Sequence, residues 1–155
     1  MHKLDEVDKQ ILRSLQDDCR ISLKKMAKKV DVAVSTIHYR IEKLQEAGII
    51  SGYHAILDED KLGYDFQTVI AVKARHGPKY SGLGEKLANL PCVSAVYWLL
   101  GDIDYWVLTK ARNRDEHLEA LEALIDMEEI MSTVTYVISK VILEKPTIEI
   151  HDDDP

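Results

Sequence analysis

Cysteine is scarce in this chain. The two present, Cys19 and Cys92, stand far apart and in no CxxC spacing, which excludes a disulfide framework or a thiolate metal site read from sequence. Four prolines and seven glycines among 155 residues exclude collagen-like and low-complexity architectures. No apolar run approaches the ~18 residues of a membrane helix; the longest, around Val93 to Leu100, is strand-sized. The opening residues Met1 to Glu6 hold no apolar stretch of the kind a secretory leader needs. Also missing are a nucleophile beside a base, metal-ligand spacing and a glycine-rich phosphate loop. The expectation is a reduced, cytoplasmic protein that is not an enzyme and has no catalytic residue, no metal and no membrane partner. What is present is ordinary: 46% hydrophobic and 30% charged residues, enough for one domain or two small ones.

The net charge of −7 argues at first against a polyanionic partner. Its distribution argues otherwise. Residues 1–52 carry 10 Lys/Arg against 8 Asp/Glu, whereas residues 53–155 carry 10 against 19. A mildly basic head on an acidic body points to a division of labour.

In the head, Leu4, Val7, Ile11, Leu12 and Leu15 form an apolar stripe that predicts a helix from about Asp5 to Asp17, with Asp5 as its cap. A second helix is predicted after Ser22, with Leu23, Met26, Ala27 and Val30 inward and Lys24, Lys25, Lys28 and Lys29 outward. Asp31 falls where a left-handed turn residue is needed, a conformation Asp tolerates better than most. Ser35 then reads as the cap of a third helix reaching Ala47, with Gly48 as its stop. Val34, Ile37, Ile41 and Leu44 line its inner side, and Ser35, Thr36, Tyr39 and Lys43 its outer side, with His38 and Arg40 on the flanks. Two short helices joined by a tight turn, the second bearing small polar and basic groups, make a helix-turn-helix layout. Solvated helices, or a docking module for another protein, fit the same periodicity.

An extended stretch from Ile49 to Leu57 and the turn-rich Asp58 to Lys61 follow. The body then reads as a strand (Phe66 to Arg75), a helix (Tyr80 to Leu90), a strand (Val93 to Leu100), a Gly101-Asp102 turn and a second hairpin strand (Ile103 to Ala111). A helix capped by Asn113 (Arg114 to Glu129) and a last strand (Thr133 to Leu143) complete it. The order βαββαβ predicts a ferredoxin-like α+β domain, an antiparallel sheet with both helices on one face. Its strands are apolar on both faces, so the uncovered face needs a partner, and a homo-oligomer is expected. The domains expected are a helix-turn-helix head over 1–52, an extended linker over 53–64 and the ferredoxin-like unit over 65–150.

Three stretches carry a resemblance: Leu4 to Leu12; Ser35-Thr36-Ile37-His38-Tyr39-Arg40-Ile41-Glu42-Lys43-Leu44; and Ala47-Gly48-Ile49-Ile50. Together with Gly101-Asp102-Ile103-Asp104-Tyr105 they resemble the Lrp/AsnC family of leucine-responsive, or feast/famine, transcription regulators. The ordered set spans residues 4 to about 145, leaving His151 to Pro155 as an acidic tail. The resemblance implies a winged-type helix-turn-helix that binds double-stranded promoter DNA. It also implies a C-terminal domain that forms homo-dimers and higher homo-oligomers and responds to an amino acid effector, with no other cofactor. By position it offers Ser35, Thr36, His38, Tyr39, Arg40 and Lys43 as DNA contacts. The effector candidates are Gly101, Asp102 and Asp104 on the hairpin and Thr133 and Thr135 on the last strand, with the loop His76 to Tyr80 closing the pocket. An Asp can accept an ammonium, and hydroxyls or backbone N–H groups can donate to a carboxylate. Tyr97, Trp98 and Trp106 read as interface packing.

Two alternatives remain at this stage. An effector-independent architectural DNA-binding protein would share the head. Subunits of sirohaem decarboxylases resemble the same two-domain plan, but the six scattered histidines and acidic body do not suit an acidic tetrapyrrole.

Overall fold

The computed structural model describes residues 3–77 and 80–151. It divides into two compact units. One comprises the residues up to Ile56 together with those from Leu143 onward; the other is Leu57–Ile142.

The first unit is built on helices α1 (Glu6–Asp17), α2 (Leu23–Val30) and α3 (Val34–Glu46), with no strand among its described residues. Helix α1 starts at a reciprocal cap: the Asp8 amide donates to Asp5 Oδ1 at 2.9 Å and the Asp5 amide to Asp8 Oδ2 at 3.2 Å. Ser22 caps α2 by accepting from the Lys25 amide. Asp31 adopts the left-handed conformation (φ 58°, ψ 49°) that the turn between α2 and α3 demands. The expected cap at Ser35 is displaced. Ala33 holds that position, accepting from the amides of Thr36 and Ile37 through its carbonyl, and Ser35 lies inside the helix. Gly48, at φ 71°, ends α3 while the Ile49 amide donates back to Leu44. Ile11, Leu12, Met26, Ala27, Val30, Ile37 and Leu44 form the core, whereas Val34, expected inward, is exposed.

The C-terminal segment completes this unit. Nε and Nη2 of Arg13 donate to the Ile150 carbonyl at 3.3 and 2.9 Å. Gln16 donates to the Ile148 carbonyl and accepts from its amide, at 3.1 and 2.8 Å. Ile150 packs against the helical core. The last residues of the span expected as 65–150 thus group with the helices, an amide side chain on α1 pairing with their backbone as a neighbouring strand would. Of the predicted tail, residues 152–155 lie outside the described residues.

The expected linker also splits. Residues up to Ile56 group with the head, but Leu57 onward belongs to the second unit. A 3-10 turn (Asp60–Leu62) and Glu59 tie it down there: the Glu59 carboxylate accepts from Gln67 Nε2 at 2.9 Å and Lys110 Nζ at 2.7 Å.

The second unit contains β1 (Phe66–Ala74), α4 (Leu83–Ala88), β2 (Val93–Trp98), β3 (Tyr105–Ala111), α5 (Arg114–Ile125) and β4 (Ile130–Val137). The sheet is antiparallel with strand order β2-β3-β1-β4, as the βαββαβ order predicts. Helix α4 is shorter than expected because Gly82, at φ 93°, and Gly84 weaken its first turn. Ile70, Val72, Ala74, Tyr105 and Val107 pack on Leu83, Leu87 and Leu124. On α5, His117, Ala120 and Leu124 are buried, whereas Ile125 is exposed. Since directly paired residues share a face, the register assigns the opposite face to Tyr97, Trp106, Ala71 and Val134 in one row. Ala95, Leu108, Val69 and Tyr136 form the next.

A buried polar chain runs under the covered face: Thr68 Oγ1 lies 2.8 Å from Thr109 Oγ1, which lies 3.3 Å from His117 Nδ1. Burial pushes the His117 pKa below its usual 6.5, so the folded state holds the ring neutral. The unfolded chain then binds the proton first as pH falls. Stability of this unit is expected to decline as pH drops from about 6.5 through the lower folded value. Urea midpoints between pH 7.5 and pH 5 should show this slope, and His117→Leu should flatten it.

Candidate DNA-reading face and effector site

Helix α3 exposes Ser35, His38, Tyr39, Glu42 and Glu46 on one side and buries Ile37 and Leu44 on the other, with Thr36 and Lys43 on one edge. Ser35, Thr36, His38, Tyr39 and Lys43 thus lie on or beside the outward face. Arg40 does not. Its Nη1 stands 2.7 Å from Asp5 Oδ2 and 3.3 Å from both carboxylate oxygens of Asp8, whose side chain is 1% exposed. Partial burial opposes ionisation of Asp5, but the Asp8 amide and the Arg40 charge outweigh it and hold the carboxyl below its usual range. Arg40 ties α3 to the start of α1, a correction to its expected place on the DNA face.

Lys43 and His38 also have partners on the helix itself. Lys43 Nζ is 2.6 Å from Glu46 and sits over the Tyr39 ring, 5.7 Å from its centroid. His38 Nδ1 is 3.2 Å from Glu42 Oε2. The face of α3 is therefore nearly charge-balanced. Excess positive charge lies on α2, where Lys24, Lys25, Lys28 and Lys29 are all exposed and Lys29 approaches Asp17 at 3.8 Å.

A second constellation gathers where β3 starts and β1 ends. Asp104 is 8% exposed, and its Oδ2 accepts from the Ala74 amide at 2.8 Å. Its Oδ1 lies 3.0 Å from His76 Nε2 and 3.4 Å from the Tyr80 hydroxyl. Trp98 Nε1 donates to that hydroxyl at 2.8 Å, and the His76 and Tyr80 rings stack at 4.7 Å. Burial, with the Tyr80 hydroxyl beside it, pushes the Tyr105 phenol up to about 12. Trp98 therefore faces this cluster rather than the open sheet face, where Tyr97 and Trp106 do lie. The loop expected to close the site contributes His76 and Tyr80 from the same chain; Pro78 and Lys79 fall outside the described residues.

Gly101 and Asp102 are exposed in the hairpin turn. Thr133 and Thr135 pair with Val72 and Ile70 on the edge strand β4, with β1 between them and β3. One chain does not bring hairpin and threonines together. Sequence reasoning passed over a neighbouring feature: an open cavity of about 440 Å³ lined by Ser81, Lys86, Glu128 and Glu129. Lys86 pairs with the buried Glu129, whose carbonyl accepts from the Arg75 amide beside Ala74. Its residues fall on two stretches more than forty positions apart, so no local motif announces them.

The family model described as Lrp/AsnC ligand binding domain matches residues 67–148, and one for a winged helix-turn-helix DNA-binding domain matches residues 4–51. The chain belongs to the Lrp/AsnC family. It is a transcriptional regulator with a helix-turn-helix DNA-binding domain and an Lrp/AsnC ligand-binding domain. Among its relatives is the HTH-type transcriptional regulator FL11 of Pyrococcus horikoshii, 37% identical over 137 residues, covering 88% of this chain and 90% of that one. The solved structure of AsnC from E. coli matches with a TM-score of 0.83 at 27% identity, covering 97% and 99% of the two chains. A Neisseria meningitidis transcriptional regulator, solved as an L-Met complex, shares the fold with a TM-score of 0.87 at 21% identity, covering 95% and 97%. No helix among the described residues is long and apolar enough to cross a membrane.

Proposed function

We propose that this regulator binds double-stranded promoter DNA in the cytoplasm through the outward face of α3, anchored to phosphates by the lysines of α2. In this reading it is a homo-oligomer assembled through the open sheet face, it catalyses no reaction, and its DNA affinity or assembly responds to an amino acid held at the Asp104 end of the sheet. The observation that carries the effector reading is the Asp104 cluster. A shielded carboxylate, with His76, Tyr80 and Trp98 gathered around it, offers an acceptor to an ammonium group in a place where charge-assisted bonds are strong. The L-Met complex of the Neisseria protein supports an amino acid as the ligand class. Gly101 and Asp102, with Thr133 and Thr135, would then join the site from neighbouring protomers.

Fluorescence anisotropy on labelled DNA from upstream of the protein's own gene, with competitor DNA and with or without a pool of the twenty amino acids, tests the reading. Salt-sensitive, competitor-resistant binding that shifts with the pool is expected. Asp104→Asn keeps an acceptor for the Ala74 amide but removes the charge. It should raise the amino acid concentration needed for the shift about tenfold or more, leaving affinity without amino acid unchanged. A response unaltered by Asp104→Asn removes the effector from this cluster, and binding that ignores the pool favours an architectural role.

A further inference from the structure

We infer that Glu42 is a base-reading residue of α3 and that the base it reads is cytosine. The inference rests on the assignment of α3 as the DNA-facing helix and extends it to one base. Glu42 lies on the same outward strip as Ser35 and Tyr39, about two turns into the helix. A carboxylate there is repelled by every phosphate it passes, so it lowers affinity for DNA at large. Against the base edges it has a place, because the major groove offers two exocyclic amine donors, those of cytosine and adenine. Adenine sets its N7 acceptor beside that amine, facing the second carboxylate oxygen. Cytosine presents the amine without that neighbouring acceptor.

The geometry around Glu42 fits this use. His38, one turn earlier, lies with Nδ1 3.2 Å from Oε2. That contact restrains the carboxylate and leaves Oε1 to accept. Of the cations that would otherwise make α3 a general phosphate clamp, Arg40 is turned to Asp5 and Asp8, and Lys43, at the edge of the outward face, is offset by Glu46 beside it. A charge-balanced helix beside a row of exposed lysines separates reading from anchoring. Removing the Glu42 charge should therefore strengthen binding while weakening discrimination.

The test is selection from a random-sequence duplex library with the full-length wild type, Glu42→Gln and Glu42→Ala, followed by affinity measurements on the selected sites and on calf thymus DNA. Glu42 is exposed, and unchanged unfolding midpoints would confirm that the variants fold. The wild type should select cytosine at one position of each half-site, preferring it by about tenfold to a hundredfold. Glu42→Gln should move that preference to adenine, whose N6 and N7 an amide matches. Glu42→Ala should lose the preference there and bind calf thymus DNA several-fold more tightly. One consensus shared by all three proteins overturns the inference. So does tighter general binding with the consensus unchanged, which would leave Glu42 as a repulsive charge only. A wild type that binds in a salt-dependent way yet selects no consensus overturns the assignment of α3 as a reader as well.

Discussion

Arg40→Ala is expected to destabilise the helical unit by about 2–4 kcal/mol, because it withdraws a guanidinium from the almost fully buried Asp8 and from the cap residue Asp5. The estimate sits near the low end for broken buried pairs, since the Arg40 side chain is itself 32% exposed and water screens part of the loss. For a unit of this size such a loss lowers its melting temperature by roughly 10 °C or more. Hydrogen exchange of the α1 amides would report it directly. Adding Asp8→Asn should restore part of the stability, since the charge left in the core is then removed. The DNA readout separates this role from a phosphate contact. A clamp predicts that Arg40→Ala retains most of its affinity at low temperature, where the head stays folded, with an unchanged salt slope. A phosphate contact predicts uniformly weaker binding and a slope shallower by about one.

On the proposed assembly through the open sheet face, Trp106→Asp is expected to sediment as a monomer at micromolar concentration where the wild type sediments as an oligomer. Trp106 stands in the middle of the open sheet face, 45% exposed, flanked in register by Tyr97 and Ala71 and followed by Val134 on β4. Covering its exposed part against a second sheet is worth about 2–3 kcal/mol per protomer at ~25 cal/mol per Å², or about 5 for a pair. A charge at that point adds an unpaired buried carboxylate to the loss. Dimer affinity should fall by at least about a thousandfold. The monomer should keep its own fold, because Trp106 points away from the core of Ile70, Val72, Leu83, Leu87 and Leu124. DNA binding should weaken with it, as a dimeric helix-turn-helix protein engages two half-sites.

Hydrophobic periodicity located the elements well because each side of a helix or strand here has one dominant neighbour. The α1 and α2 stripes and the βαββαβ order could be read directly. Side chains at the margin of a stripe were harder. Arg40 lies about 140° around α3 from Ser35 at 100° per residue, which places it nearer the inner side. Yet a long cation is easily assigned to DNA when its acidic partners, Asp5 and Asp8, are more than thirty positions away. The neighbours Tyr97 and Trp98 carried a readable warning, since adjacent strand residues point to opposite faces and cannot both pack one interface. Thr133 and Thr135 do share a face, but which face follows from pairing with Val72 and Ile70, and the sequence of β4 does not state that register. The Asp104 cluster depends on side chains from a loop, a strand end and a hairpin. Of these only the hairpin has a local signature.

The return of Ile148 and Ile150 to α1 bears on how such a protein can be rearranged by recombination. A gene cut anywhere between the two units yields a first fragment that lacks the backbone partners of Arg13 and Gln16, and with them hydrogen bonds worth about 1 kcal/mol each and the cover given by Ile150. Grafting this head onto another regulator's body would therefore succeed only when the last residues travel with it. The helix-turn-helix is continuous in sequence as a motif, but as a folded object its text is written at both ends of the chain.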